Sequence, residues 1–328
     1  MIADGRPMRI VFMGSGAFGV PTLRALADAS SEFDVRLVAT APDRPAGRGL
    51  QSTPNPIAAE AGSLGLPIHR TADVNARESL EAIEQASPEA IVVIAFGQKI
   101  GPEIRDRFFA INLHASLLPA YRGAAPIQRA LMAGESTTGL SIIGIAARMD
   151  AGEVFDILET PIDLRETAGE LHDRLAELGP ELVTRTLRRH RAGLDEPQPQ
   201  DEALATHAAK ISRADAVVDF GRSASSLRGW IHGLSPRPGC TITLPLPSGL
   251  KQIRLLRVEA VSEAEAAAVA GLDAAKHRAG TFVEPGLVRC GEGFLHPLEV
   301  QPAGGRVMDW DDFLRGHAVA SGLESASP

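Results

Sequence analysis

An α/β fold, a doubly wound and mostly parallel sheet followed by a small β-barrel domain, is what this 328-residue sequence predicts. Three observations carry that expectation. Through residues 8–150, short apolar runs alternate with amphipathic stretches, the βαβ rhythm of a parallel sheet. At 193–203 a polar, proline-containing stretch poor in large apolar residues reads as a linker. Beyond it, several short apolar runs are punctuated by Pro and Gly, which suits a small barrel.

The elements follow in order. Arg9-Ile10-Val11-Phe12-Met13 is an apolar strand ending at Gly14-Ser15-Gly16-Ala17-Phe18-Gly19. A helix then runs through 21–27, with Pro21 near its start, where a missing N–H is tolerated. Residues 34–41 supply a second strand and 42–49 a turn-rich loop. Further on come a helix at 56–65, a brief strand at 67–69, a helix at 75–86, a strand at 90–95 and a short helix at 102–109. A second buried strand then ends around Asn112 and His114. Helix 126–133, strand 140–146 and a long amphipathic helix at 167–192 complete a first domain over 1–192, with 193–205 as linker. In the second domain, 206–317, strands are expected at 217–220, 241–244, 253–260, 280–283, 287–289 and 294–300. A helix at 223–234 and an Ala/Glu-rich insertion at 261–275 join them, and 318–328 is a tail.

Composition excludes several classes. With 44% hydrophobic residues the chain is not a disordered one. No apolar run is long enough to span a bilayer, and the amino terminus lacks an apolar signal core, so a cytoplasmic protein without a membrane partner is expected. Cys240 and Cys290 have no metal-type spacing and read as buried free thiols in a reducing compartment; no metal is expected. The net charge of −8 argues against nonspecific coating of nucleic acid. Charge is uneven, however: residues 207–316 carry 13 Lys/Arg against 12 Asp/Glu, a net +1, leaving −9 for the rest. A local basic face is therefore available, built from Lys210, Arg213, Arg237, Lys251, Arg254 and Arg306.

Gly14-x-Gly16-x-x-Gly19 has the spacing of a dinucleotide-binding turn, but no acidic residue ends the second strand to hold a ribose, so it reads as a tight structural turn. Asn112-x-His114 is more informative. Residues two apart on a strand share a face, which sets a hydrogen-bond donor beside an imidazole at the carboxyl edge of the sheet, where open α/β folds bind ligands. Asp150, in Asp150-Ala151-Gly152, either caps a turn or orients that imidazole. Asn, His and Asp converging on one point suit acyl transfer. Arg44 and Arg48, in a loop shaped by Pro and Gly, are either ordinary surface residues or phosphate contacts.

The chain resembles the 10-formyltetrahydrofolate-dependent formyltransferases from Met8 to about Gly316. Asn112-x-His114, Ser116-Leu117-Leu118-Pro119 and Asp150 carry the resemblance at the level of reaction class. The loop at 42–49, the stretch Tyr121-Arg122-Gly123-Ala124-Ala125-Pro126-Ile127-Gln128-Arg129, and Ala209-Lys210-Ile211-Ser212 with Leu298-Glu299-Val300-Gln301-Pro302-Ala303-Gly304 are closest to the branch that formylates charged initiator tRNA. The resemblance implies a Rossmann-like formyltransferase domain and an OB-like second domain that helps hold tRNA. It implies Asn112, His114 and Asp150 as the catalytic trio, and 10-formyltetrahydrofolate as donor lying along Phe96, Gly97, Ser116, Leu117, Leu118 and Pro119. Arg44, Arg48, Lys210 and Arg237 are the implied tRNA contacts, methionyl-initiator tRNA is the implied acceptor, and a monomer is expected. Two departures stand out: Phe96 where the family often has Tyr, and Leu50-Gln51 where relatives often have lysines. A sugar-nucleotide N-formyltransferase and a formyltetrahydrofolate hydrolase share the trio and remain the alternatives.

Overall fold

The computed structural model describes residues 6–46, 51–247, 249–284, 286–317 and 319, with the backbone alone described at 44–46 and 51. Along the chain, β1 (Met8–Gly14) leads into α1 (Val20–Asp28), β2 (Phe33–Thr40), the antiparallel pair β3 (Arg44–Ala46) and β4 (Gln51–Thr53), α2 (Pro56–Ser63) and β5 (Ile68–Arg70). Next are α3 (Arg77–Ala86), β6 (Ala90–Ile94), α4 (Pro102–Arg105), β7 (Ala110–His114), β8 (Arg122–Gly123) and α5 (Pro126–Ala133). β9 (Thr137–Gly144), β10 (Val154–Pro161), α6 (Ala168–Arg191) and β11 (His207–Ala208) follow. The remainder holds α7 (Ala224–Leu234), β12 (Cys240–Leu246), β13 (Gly249–Val261), α8 (Glu263–Ala270), β14 (Phe282–Val283), β15 (Leu287–Arg289), β16 (Phe294–Pro302), β17 (Met308–Asp309) and α9 (Trp310–Gly316). Two compact units result. The first takes the described residues up to Gly123 together with Thr138–Thr160 and His172–His207; the second takes Ala124–Thr137, Pro161–Leu171 and the described residues from Ala208 on.

In the first unit a seven-stranded sheet runs in the order β10-β9-β7-β6-β1-β2-β5. The β1–β2, β1–β6, β2–β5 and β6–β7 pairs are parallel, and β7–β9 is antiparallel. The chain winds outward from β1 to β2 and β5, then returns to β6 and β7 on the other side. The reversal lies between β1 and β6, and ligand crevices of open α/β sheets form at the carboxyl ends of such strands. β6 is buried at all five positions, as its uninterrupted apolar run requires. Gly14 closes β1 because a Cβ there would stand 2.8 Å from the Ile94 carbonyl oxygen. The backbone N–H groups of Ser15 and Gly16 both donate to the Ala95 carbonyl. The glycine-rich turn thus serves the packing of β1 on β6, as the missing acidic partner suggested.

The second unit is an antiparallel sheet in the order β12-β13-β16-β15-β14, with β17 added on β16. Its core joins Leu227, Ile231 and Leu234 of α7 to Ile242, Ile253, Leu255, Val300, Trp310 and Phe313. Cys240 and Cys290 are buried and free, and burial pushes both thiols up to about 12. Within the 261–275 insertion, α8 starts at a capping box between Ser262 and Glu265.

Two expectations needed revision, and β10 was not anticipated. The strand expected at 217–220 does not form; Val218 and Phe220 bury their side chains without sheet pairing, since apolar content selects burial and only a partner strand selects β structure. The helix expected over 102–109 ends at Arg105. β10 carried no readable signal because only one of its eight residues is buried, four being partly buried and three exposed, which blurs the alternation that marks a strand.

Candidate active site

β7 ends at His114, and Asn112 lies two residues earlier on the same face. His114 is buried, and its Nε2 stands 2.9 Å from the Tyr121 carbonyl oxygen. A carbonyl oxygen only accepts, so Nε2 carries a proton. Nδ1 faces the Asp150 carboxylate at 3.7 Å, too far for a hydrogen bond but close enough for charge to act. The ring is therefore fixed through Nε2, and Nδ1 is the nitrogen left to gain or lose a proton. Asn112 is half-buried, and its side-chain amide has no hydrogen-bond partner among the described residues.

Asp150 is held from several directions. Its carboxylate accepts from the Gly123 backbone N–H at 2.9 Å. Its backbone is left-handed, φ 53°. Two residues on, a Cβ at Gly152 would lie 1.8 Å from the Gly144 carbonyl oxygen, so only glycine lets the turn press against the end of β9. The structure thus brings Asn112, His114 and Asp150 to one end of β7, with the carboxylate brought in from a loop.

The six residues expected along the folate fall into two groups. Gly97 is exposed at φ 76°, next to Ala95 at φ 47°, so backbone polar groups are presented beyond the end of β6. Leu117 and Pro119 are half-buried. Phe96, by contrast, is buried among Val93, Ile100 and Ile104, and Leu118 is buried too. The Ser116 hydroxyl donates to the Ala120 carbonyl at 2.6 Å, while Ser141 of β9 ties the loop through the Ser116 carbonyl and the Leu118 N–H. Phe96, Ser116 and Leu118 shape the loops from inside; Gly97, Leu117 and Pro119 are the ones with surface left to offer. The Leu118–Pro119 peptide is cis. Behind the Asp150 turn lies an open cavity of about 400 Å³, lined in part by Phe108, Phe109, Ile145, Ala146, Ala151 and Phe155.

Of the expected tRNA contacts, Arg48 lies outside the described residues, and only the backbone of Arg44 is described, in β3. Lys210 and Arg237 are exposed and have no carboxylate partner among the described residues. Sequence reasoning missed a further set. Arg122 is buried, donates from Nε and Nη2 to Gln200 Oε1 at 3.0 and 2.8 Å, and pairs with Glu202 at 3.0 Å. Arg122 and then Arg148 hold the Glu202 carboxyl down at about 2. Arg122 stood in a stretch that carries the resemblance, but nothing linked it to Gln200 and Glu202, which sit in a stretch whose polarity reads as a linker.

No group of three or more His, Cys, Asp or Glu suited to a metal occurs among the described residues. No described helix is long and apolar enough to cross a membrane.

The comparisons with known proteins agree on the class. The formyl transferase family matches residues 8–187, and the formyl transferase C-terminal domain matches 210–318. Among solved structures, HypX from Aquifex aeolicus in complex with tetrahydrofolic acid superposes with a TM-score of 0.60 at 16% identity, over 94% of this chain and 47% of that one; this chain spans about half the length of HypX. An N-formyltransferase from Helicobacter canadensis, in complex with folinic acid and dTDP-3-aminofucose, gives a TM-score of 0.59 at 13% identity over 92% of this chain and all of that one (100%). At those identities the likeness concerns the fold. A methionyl-tRNA formyltransferase from Moorella thermoacetica is 40% identical over 96% of this chain and 98% of its own. The chain belongs to the formyl transferase family, among the methionyl-tRNA formyltransferases.

Proposed function

We propose that this chain transfers the formyl group of 10-formyltetrahydrofolate to the α-amino group of methionyl-initiator tRNA, in the cytoplasm, for the start of translation. The observation that carries the chemistry is the meeting of Asn112, His114 and Asp150 at the carboxyl end of β7. Similarity to methionyl-tRNA formyltransferases over nearly the whole chain supports the acceptor.

The folate supplies the formyl group and a nitrogen leaving group; no metal is needed. The backbone at Ala95–Gly97 and the half-buried Leu117 and Pro119 suit a flat ligand with a polar edge. The attacking amine must be neutral, and α-amino groups with pKa of about 7.7–8.0 supply that form near neutral pH. As the amine adds, negative charge grows on the formyl oxygen. The unpartnered Asn112 amide is a donor for it that is already in position before reaction. His114 Nδ1 accepts the proton the amine loses, and the facing Asp150 stabilises the charged ring that results. That proton is then available to the departing nitrogen. Two backbone contacts, the Tyr121 carbonyl on His114 and the Gly123 N–H on Asp150, keep this geometry without substrate. The domain division proposed is a catalytic part over 1–192 and a tRNA-holding, OB-like part over 206–317, joined by 193–205. Arg44, Arg48, Lys210 and Arg237 are the proposed tRNA contacts.

The test offers the purified protein formyl-folate with charged initiator tRNA, elongator methionyl-tRNA, a 4-amino sugar nucleotide, or no acceptor. Formylated initiator tRNA is expected. Formylation of the sugar alone, or release of formate alone, overturns the assignment in favour of the corresponding alternative.

A further inference from the structure

We infer that Gln200 is a positioning residue for formyl transfer: it holds the Asp150–Gly152 turn in the backbone conformation that aims the Asp150 carboxylate at His114. The inference rests on the role given to Asp150 above.

The Gln200 side-chain nitrogen donates to two backbone carbonyls, Asp150 at 2.8 Å and Gly152 at 2.7 Å. Its oxygen accepts twice from Arg122, at 3.0 and 2.8 Å. The orientation of this amide is chemically determined, because two carbonyl oxygens can only accept and guanidinium N–H groups can only donate. All four hydrogen-bonding capacities used are therefore matched. Asp150 needs such support. A left-handed backbone at a residue other than glycine is strained and persists only where its surroundings impose it. Gln200 bridges the carbonyls on both sides of Ala151, so the turn cannot relax without breaking at least one of them.

Behind Gln200 stands a second layer. Arg122 is buried with 8% of its side-chain surface exposed, and Glu202 accepts from both of its terminal nitrogens, at 3.1 and 3.0 Å. Arg148 adds a further donor to Glu202 at 2.8 Å. The backbone bridge between Val154 and Gln198 anchors the same segment two residues before Gln200. A stretch that reads as a connector in sequence is thus fastened to the first unit and forms the outer wall of the Asp150 turn.

Two substitutions isolate the donor function. Gln200→Glu keeps an acceptor for Arg122 and loses both donors to the turn; Gln200→Met keeps the length and loses everything polar. For Gln200→Glu in the full-length protein we expect kcat for formylation of initiator tRNA to fall about 10- to 100-fold, with KM for folate and for tRNA within about threefold of the parent. The melting temperature is expected within about 4 °C of the parent. Gln200→Met is expected to lower kcat at least as much. Parental kcat in both variants overturns the inference. So does a loss of kcat that appears only with a collapse of the melting temperature or a parallel rise of KM, since that is a structural role alone. Asp150→Asn is measured alongside: if it keeps parental kcat, the role of Asp150 itself fails, whereas an inactive Asp150→Asn with parental Gln200 variants removes only the claim about Gln200.

Discussion

In the first unit, the carboxylate of Asp150 serves one backbone N–H and one imidazole, whereas in the second unit Asp215, Glu170 and Glu259 go to guanidiniums. Asp215 pairs with Arg129 at 2.8 Å, Glu170 with Arg257 at 2.7 Å, and Glu259 with Arg165 at 2.9 Å. Hydrogen bonding from Arg129, against the opposing cost of burial, keeps the Asp215 carboxyl at about 2. At Glu170 burial opposes ionisation most, yet Arg257 and Thr167 still hold it at about 2. The near-zero net charge of residues 207–316 is thus a sorted mixture. Within it Asp215, Glu259 and Glu299 are taken up by arginines, while Lys210, Arg213, Arg237 and Arg306 remain exposed without carboxylate partners among the described residues. One unit keeps reactive groups underused by the fold; the other keeps cations underused by the fold. The first arrangement suits chemistry at a point, the second a polyanion spread over a surface.

The largest effects should fall on the first unit. His114→Ala is expected to lower kcat by about 10²–10⁴-fold, and Asn112→Ala by about 10²–10³-fold. Both should leave the chain folded, as judged by circular dichroism and thermal melting, because neither side chain belongs to the apolar core. Near-parental turnover in His114→Ala would break the comparison outright.

A middle-sized effect is expected in the second unit and on stability alone. His232 is buried, and its ring accepts from the Val258 N–H at 3.0 Å. Burial, then the nearby Arg228 and Arg257 charges, pushes it down to about 4, partly offset by Glu170. The unfolded chain takes up a proton there near pH 6.5 and the folded chain only near 4, so stability drops as pH falls through that window. The loss is at most about 3 kcal/mol. Urea melts at pH 7.5, 5.5 and 4.5 should show it, and His232→Gln should flatten that part of the profile. Below about pH 4.5 the protonation of Glu170 and Asp215 adds a further loss in the same direction, continuing towards pH 2. An equal pH dependence in parent and His232→Gln would remove the histidine from the account.

The smallest effects are expected at the exposed cations. Lys210→Ala and Arg237→Ala should each raise KM for tRNA by less than about tenfold and reduce the magnitude of the slope of log affinity against log salt by about 1. KM for folate should not change. A cation whose removal leaves the salt slope untouched does not contact phosphate.

Legibility in sequence followed the range of the interactions. Asn112 and His114 are neighbours through the two-residue period of a strand, and that period is written in the chain itself. The parallel sheet was readable for the same reason, since β1, β2 and β6 are dense apolar runs separated by helices. Phe96 and Ser116 were a different matter. An aromatic ring and a hydroxyl beside a site look available in a sequence, yet the ring packs into the core and the hydroxyl bonds to Ala120. Arg122, Gln200 and Glu202 could not be joined by any local rule, because their hydrogen bonds close across 78 and 80 residues.

By itself, then, the sequence determined the strand that carries Asn112 and His114, the class of chemistry those side chains serve, and the near-balance of charge in the later part of the chain against an acidic remainder. Only the tertiary structure decided which nitrogen of His114 is free to take a proton, what holds Asp150 facing it, and which of the cations keep no carboxylate. The reason is physical: periodicity and composition are set by covalent neighbours, whereas tautomer, backbone strain and charge pairing depend on groups brought together by folding.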